Sequence, residues 1–210
     1  MPLQNFFEST AKADKRLVFI LLCLITFAML FIRKTFIESA TAAFQFLEGE
    51  GLGWIFTLFN TLDYLSIPII YLWKITVISF VVWVGCFTFG YRVTYKQSWN
   101  VVLLAEFIFI LPEFLKVIWF MFFVPDPSLF EIRAFYPFSL IQFFDFAQLS
   151  QKFYYPLKAL NAFEIFYWYL LASGLAFYIR KDIRKAWIVV LATYVPLFFM
   201  WLGYYLLIYG

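Results

Sequence analysis

The chain has 210 residues, of which 65% are apolar and only 14% charged, with a net charge of +3 and no histidine. A typical soluble domain is about half apolar and a quarter charged, so water is not the main solvent of this chain. Without histidine there is neither the commonest general base nor the usual nitrogen ligand of zinc, copper or haem, which excludes most familiar catalytic constellations.

The apolar runs predict an all-α fold, a polytopic bundle of about five transmembrane helices with short interfacial helices, forming one membrane domain over 1–210. Residues 17–32 are unbroken apolar sequence framed by Lys15-Arg16 and Arg33-Lys34. The run is slightly short of the ~20 residues that cross a bilayer, and snorkelling basic ends complete it. A signal peptide is the competing reading, because Ala40-Thr41-Ala42 resembles a cleavage site. Arg33 and Lys34 stand between core and site and favour a retained helix. Residues 35–63 mix apolar side chains with Glu38, Glu48, Glu50 and a Gly49-x-Gly51-x-Gly53 run, which predicts one or two interfacial helices broken at the glycines. These glycines are no phosphate loop, since no Lys-Ser/Thr follows them and no strand precedes them.

The second helix is expected over 64–90 with Pro68 near its start, and the third over 101–124 with Pro112 in its middle; Arg92 and Lys96 punctuate the turn between them. Residues 125–160 are aromatic but broken by Asp126, Pro127, Glu131, Arg133, Pro137, Asp145 and Pro156, the pattern of a loop on the membrane surface. The fourth helix is expected over 162–178. A tight basic turn holding Arg180, Lys181, Asp182, Arg184 and Lys185 then leads into the fifth, over 186–209. Cys23 and Cys86 both lie inside apolar runs and read as small hydrophobes.

Basic residues set the orientation. With the N-terminus inside, that face carries Lys12, Lys15, Arg16, Arg92, Lys96, Arg180, Lys181, Arg184 and Lys185, against Arg33, Lys34, Arg133, Lys152 and Lys158 outside. The excess predicts a cytoplasmic N-terminus and an external C-terminus, in the inner membrane if the chain is bacterial. Two hairpins also resemble each other. Tyr91-Arg92 leads to Trp99-Asn100-Val101-Val102, Tyr178-Ile179-Arg180 leads to Trp187-Ile188-Val189-Val190, and a proline follows in each second helix, Pro112 and Pro196. A parallel pseudo-repeat and chance both account for this.

Ionisable side chains at membrane depth are costly, which makes Lys74, Glu106, Glu113 and Lys116 candidates for function. At about 1.5 Å rise per residue, Lys74 lies about 26 Å from Tyr91, while Glu113 and Lys116 lie about 20 and 24 Å from Asn100. Similar depths predict a buried ion cluster in which Glu113 accepts from Lys74 and Lys116; Glu106 and Glu113, seven apart, are expected to share a face. A proton or ion path through the same residues is the alternative. Glu164 and Asp63, near helix ends, suggest solvated or capping roles. The basic turn, Arg180, Lys181, Arg184 and Lys185, reads as a lipid and topology anchor, with a protein docking site as the other reading.

Two stretches carry a family resemblance. One is Gly90-Tyr91-Arg92-Val93-Thr94-Tyr95-Lys96-Gln97-Ser98-Trp99 followed by a helix with Pro112. The other is Leu160-Asn161-Ala162-Phe163-Glu164-Ile165-Phe166-Tyr167-Trp168-Tyr169 running through Gly174 to the basic turn. From Gly90 onward the chain resembles the Ypt-interacting-protein (YIP) family of five-helix membrane proteins, particularly its bacterial members. In that family a short polar turn with a Gln introduces a helix with a central proline, and an aromatic start to helix four leads to a Gly and a basic turn. The resemblance implies a non-enzymatic membrane protein, associated in eukaryotes with small GTPases and membrane trafficking.

The sequence therefore leads to the expectation of a non-catalytic multi-pass protein, acting as a scaffold, an accessory subunit or a membrane organiser. A small permease subunit using the intramembrane Glu/Lys cluster is the alternative. The expected partners are the lipid bilayer and another membrane protein; no nucleic acid, metal or cofactor is expected.

Overall fold

The computed structural model describes residues 14–38, 53–124, 127–146, 148–179 and 182–209. Among these the chain is helical, with one isolated bridge between Ser139 and Asn161 in place of any strand. Helix α1, Lys15–Ile32, is capped by Asp14, whose carboxylate accepts from the Arg16 N–H at 3.0 Å, and it runs on as a π-helical turn, Arg33–Glu38. Helix α2 is Gly53–Thr88 and contains Pro68. Gly90 takes a left-handed backbone, φ 75°, so that the Tyr91 N–H reaches back to the Cys86 carbonyl and closes the helix end.

Helix α3, Tyr95–Ala105, opens on a capping box. The Thr94 side chain accepts from the Gln97 N–H, and the Gln97 side chain accepts from the Thr94 N–H. A 3₁₀ segment, Glu106–Phe109, separates α3 from α4, Ile110–Phe122. The surface segment then forms α5, Leu129–Ala134, two 3₁₀ turns, Leu140–Phe143 and Gln151–Phe153, and α6, Tyr154–Ala159. Helix α7, Ala162–Tyr178, is capped by Asn161, and α8, Ile183–Ile208, by Asp182. The N–H groups of Lys185 and Arg184 hold the Asp182 carboxyl below the ordinary aspartate range, as a charged cap should be.

Four helices pack in a closed ring, α2 against α3, α3 against α7, α7 against α8 and α8 against α2, with α1 laid along α2, α3 and α4. The core runs up the middle of the ring through Ile75, Val82, Val101, Leu103, Leu171, Leu175 and Val189. At Gly85 the helices α2 and α8 come so close that a Cβ would stand 2.3 Å from Thr193 Cγ2, so the absence of a side chain sets their spacing. The two similar hairpins are α2–α3 and α7–α8. Trp99 and Trp187 each fall in the second turn of their helix, and Val101-Val102 and Val189-Val190 are all buried.

Among the described residues three helical stretches are long and apolar enough to cross a membrane, Lys15–Glu38, Thr61–Thr88 and Ile183–Ile208, which is fewer than the five expected. The 3₁₀ segment divides the third expected span into two shorter α-helices, and the fourth, with 17 residues, is short. Boundaries move as well. The capping box starts the third helix at Tyr95 rather than near residue 101. The second helix begins at Gly53, drawing in part of the stretch expected to be interfacial, because no proline or glycine interrupts it before Pro68. The stretch at 40–42 that resembles a cleavage site, Lys12, Glu48, Glu50, Gly49, Gly51 and Asp126 lie outside the described residues.

Candidate functional site

Pro112 has no N–H to offer the Ile108 carbonyl and its ring crowds that oxygen, so the turn before it tightens into the 3₁₀ segment at Glu106–Phe109. That segment turns Glu106 inward, where it is 0% exposed and its Oε2 accepts from Lys74 Nζ at 2.7 Å. The Lys74 ammonium also sits over the Phe109 ring, 4.0 Å from its centroid, and 5.6 Å from that of Tyr167, so two aromatic faces share the cation with the carboxylate. The buried Tyr167 hydroxyl stands beside Glu106, in the field of its carboxylate.

From Tyr167 the polar track continues across α7 and α8. Its ring meets Tyr194 edge-on at 5.4 Å, and the Tyr194 hydroxyl donates to Glu164 Oε1 at 2.7 Å, as Trp168 Nε1 does at 2.9 Å. Glu164 is buried between the two helices rather than solvated at a helix end, while its N–H donates to the capping Asn161 Oδ1 at 2.9 Å. On the other flank, Thr26 of α1 and Tyr71 of α2 share a hydrogen bond of 3.0 Å.

The expected partners of Glu113 are corrected by the structure. Lys74 pairs with Glu106, and Glu113 accepts from Arg33 Nη1 at 2.7 Å. No carboxylate of the described residues lies within ion-pair distance of Lys116, which is 7% exposed in the field of Glu113 and Arg33. The cause is register: the Tyr95 hydroxyl reaches the Thr76 carbonyl at 3.5 Å, so α3 starts beside Thr76 of α2 and the depth counted from Tyr91 places Lys74 too far from that start. Counted from the true starts at Lys15 and Tyr95, Arg33 and Glu113 are each about 27 Å along their helices, at about 1.5 Å per residue, while Glu106 is about 16 Å along. Glu106 is therefore the carboxylate near mid-depth, and Glu113 is at the far end. The 3₁₀ winding also turns the two glutamates apart, leaving Glu106 fully buried and the Glu113 side chain partly exposed.

A second charge group thus gathers at that far end, where Arg33 also reaches Glu38 at 3.2 Å and buried Lys34 pairs with Asp63. The surface segment closes over it through Tyr136, whose hydroxyl is pushed well above the ordinary tyrosine range by burial and then by the charges of Glu113 and Glu164. Asp63 is solvent-exposed, yet it serves as the partner of Lys34.

At the opposite end Lys15 Nζ donates to the Lys96 carbonyl at 2.7 Å, which brings the starts of α1 and α3 to one face. The turn before α8 lies on that face too, since Tyr178 at the end of α7 lines one recess with Lys15 and Lys96. Arg184 is exposed and Lys185 pairs with Asp182 at 3.2 Å; Arg180 and Lys181 lie outside the described residues. Sequence reasoning did not pick out Arg33, Glu164, Tyr167 or Tyr194 as site residues. Glu164 and Trp168, four apart on one helix, were the available signal. Among the described residues no three Cys, Asp or Glu side chains gather as a metal site requires. No family model, curated protein or solved structure matches the chain.

Proposed function

We propose that the chain is a non-catalytic five-span membrane protein serving as an accessory or scaffolding subunit of a membrane complex, of the five-helix kind its sequence resembles. The observation that carries this reading is that the deepest charges neutralise each other, Lys74 with Glu106 at 2.7 Å, and that the next pair outward, Arg33 with Glu113, does the same. Two further spans are supplied by α3–α4 taken as one bent helix and by α7. Both turn large apolar side chains outward, Phe114 and Phe122 on α4, Ile165 and Phe166 on α7. The N-terminus is cytoplasmic and the C-terminus external, and in a bacterium the inner membrane is the location; the basic excess supports this.

The outer side of α2, where Trp73 is 72% and Phe87 76% exposed, is an apolar face available to a neighbouring subunit. A photoreactive residue placed at each position in living cells is expected to give one discrete protein adduct. Adducts to lipid alone at both positions overturn the subunit role. A proton-path reading is favoured by one observation, the fully buried Glu106 carboxylate beside the buried Tyr167 hydroxyl. Reconstituted into liposomes holding a pH dye, the protein is expected to pass no protons; a flux abolished by Glu106→Gln replaces the subunit reading with the path.

A further inference from the structure

The face where α1 and α3 begin holds a recess of about 1030 Å³, near the top of the range for small-molecule sites and far larger than a simple anion needs. Its rim carries three cations, Lys15, Arg16 and Lys96, and one carboxylate, Asp14, already engaged as the cap of α1. Lys15 is held over the start of α3 by its bond to the Lys96 carbonyl, and the Lys15 and Lys96 ammonium charges repel across the opening. The floor has the opposite character. Phe19 and Trp99 meet there with centroids 6.3 Å apart, and Ile20 and Leu72, each about half exposed, continue the apolar lining toward the bilayer.

We propose that this recess binds one anionic phospholipid, its phosphate between Lys15, Arg16 and Lys96 and an acyl chain along Ile20, Leu72 and the Phe19–Trp99 pair. The phosphate removes the repulsion between the two lysines, and basic pockets between membrane helices take anionic headgroups for this reason. A free phosphate would use only the rim. The lipid uses both halves. The assignment rests on the membrane reading above, and the experiment separates the two: a chain that stays dispersed without detergent or lipid overturns the membrane reading itself.

The full chain, purified in neutral detergent, is offered equal amounts of phosphatidylglycerol and phosphatidylcholine with identical acyl chains, and retained lipid is counted by native mass spectrometry. One phosphatidylglycerol per chain is expected, at a preference of at least about tenfold. Replacing Lys15, Arg16 and Lys96 by Gln is expected to weaken its binding about fivefold per cation removed. Gln at Arg184 and Lys185, on the same face but outside the recess, should leave it unchanged. Equal retention of phosphatidylcholine, an equal loss in the Arg184/Lys185 variant, or displacement of the lipid by inorganic phosphate at matching concentration each overturns the proposal. The lipid preference and the phosphate competition are read on the unaltered chain, so they decide even if the triple variant does not fold.

Discussion

Glu106 has no exposed surface and a single cationic partner, so its cost of burial is offset by Lys74 and by little else. Removing the cation alone leaves a carboxylate stranded between helices, a change that typically costs about 3–5 kcal/mol. Lys74→Met is therefore expected to lower stability in detergent by about that amount, read as a shift of the unfolding midpoint. Glu106→Leu in the same chain should recover most of the loss, while Glu113→Leu should recover none, because Glu113 answers to Arg33. Recovery by Glu113→Leu would restore the pairing that the helix depths first suggested. Of the four charges the sequence singled out, Lys74, Glu106 and Glu113 have ion-pair partners in the structure. The sequence could not rank the pairings, since Glu106 and Glu113 are both carboxylates on one run of helical sequence. The helix start moves both by the same amount; how α3 sits against α2 decides which of them is level with Lys74, and the 3₁₀ turn separates their faces.

The start of the fourth expected helix was legible, whereas the third and fifth begin at Tyr95 and Ile183, before the expected 101 and 186. Thr94 with Gln97, Asn161 and Asp182 each precede an apolar run, and each caps a helix in the structure. The contact of one helix with another was not legible. Gly85 is an unremarked glycine inside a long apolar run until α8 is seen to press Thr193 against it. An added methyl there meets Thr193 Cγ2 at 2.3 Å, and Thr193, branched at Cβ and bonded to the Val189 carbonyl, has little room to turn. Gly85→Ala is expected to destabilise the ring by about 1–3 kcal/mol, the usual range for overpacking. Thr193→Ala, which removes Cγ2 and leaves Cβ at 3.2 Å, should return part of it in the double variant. A Gly85→Ala protein as stable as the parent in thermal unfolding would mean that α2 and α8 do not meet at this spacing.

The molecule as a whole is sided. One end collects Lys15, Arg16, Lys96, Arg184 and Lys185, and the other collects three acids, Glu38, Asp63 and Glu113, around Arg33, Lys34 and Lys116. Single cysteines at Lys96 and Lys185, in a background without Cys23 and Cys86, are expected to be shielded from an impermeant thiol reagent in intact cells. One at Glu131 should react. Labelling of all three from outside would break the five-span arrangement, and labelling of the basic pair alone would invert it.

Composition and the apolar runs were enough for the helical class, for stretches long and apolar enough to cross a membrane and for the absence of imidazole chemistry, because these depend on how many residues of each kind the chain holds and how far the apolar runs extend. Pairing across helices depends instead on rotation and depth, which accumulate with every residue from a helix start. A start displaced by six residues moves a side chain about 9 Å along the axis. For that reason the union of Lys74 with Glu106, the burial of Glu164 under Tyr194 and Trp168, and the meeting of Lys15 with Lys96 were settled only when the helices were packed together.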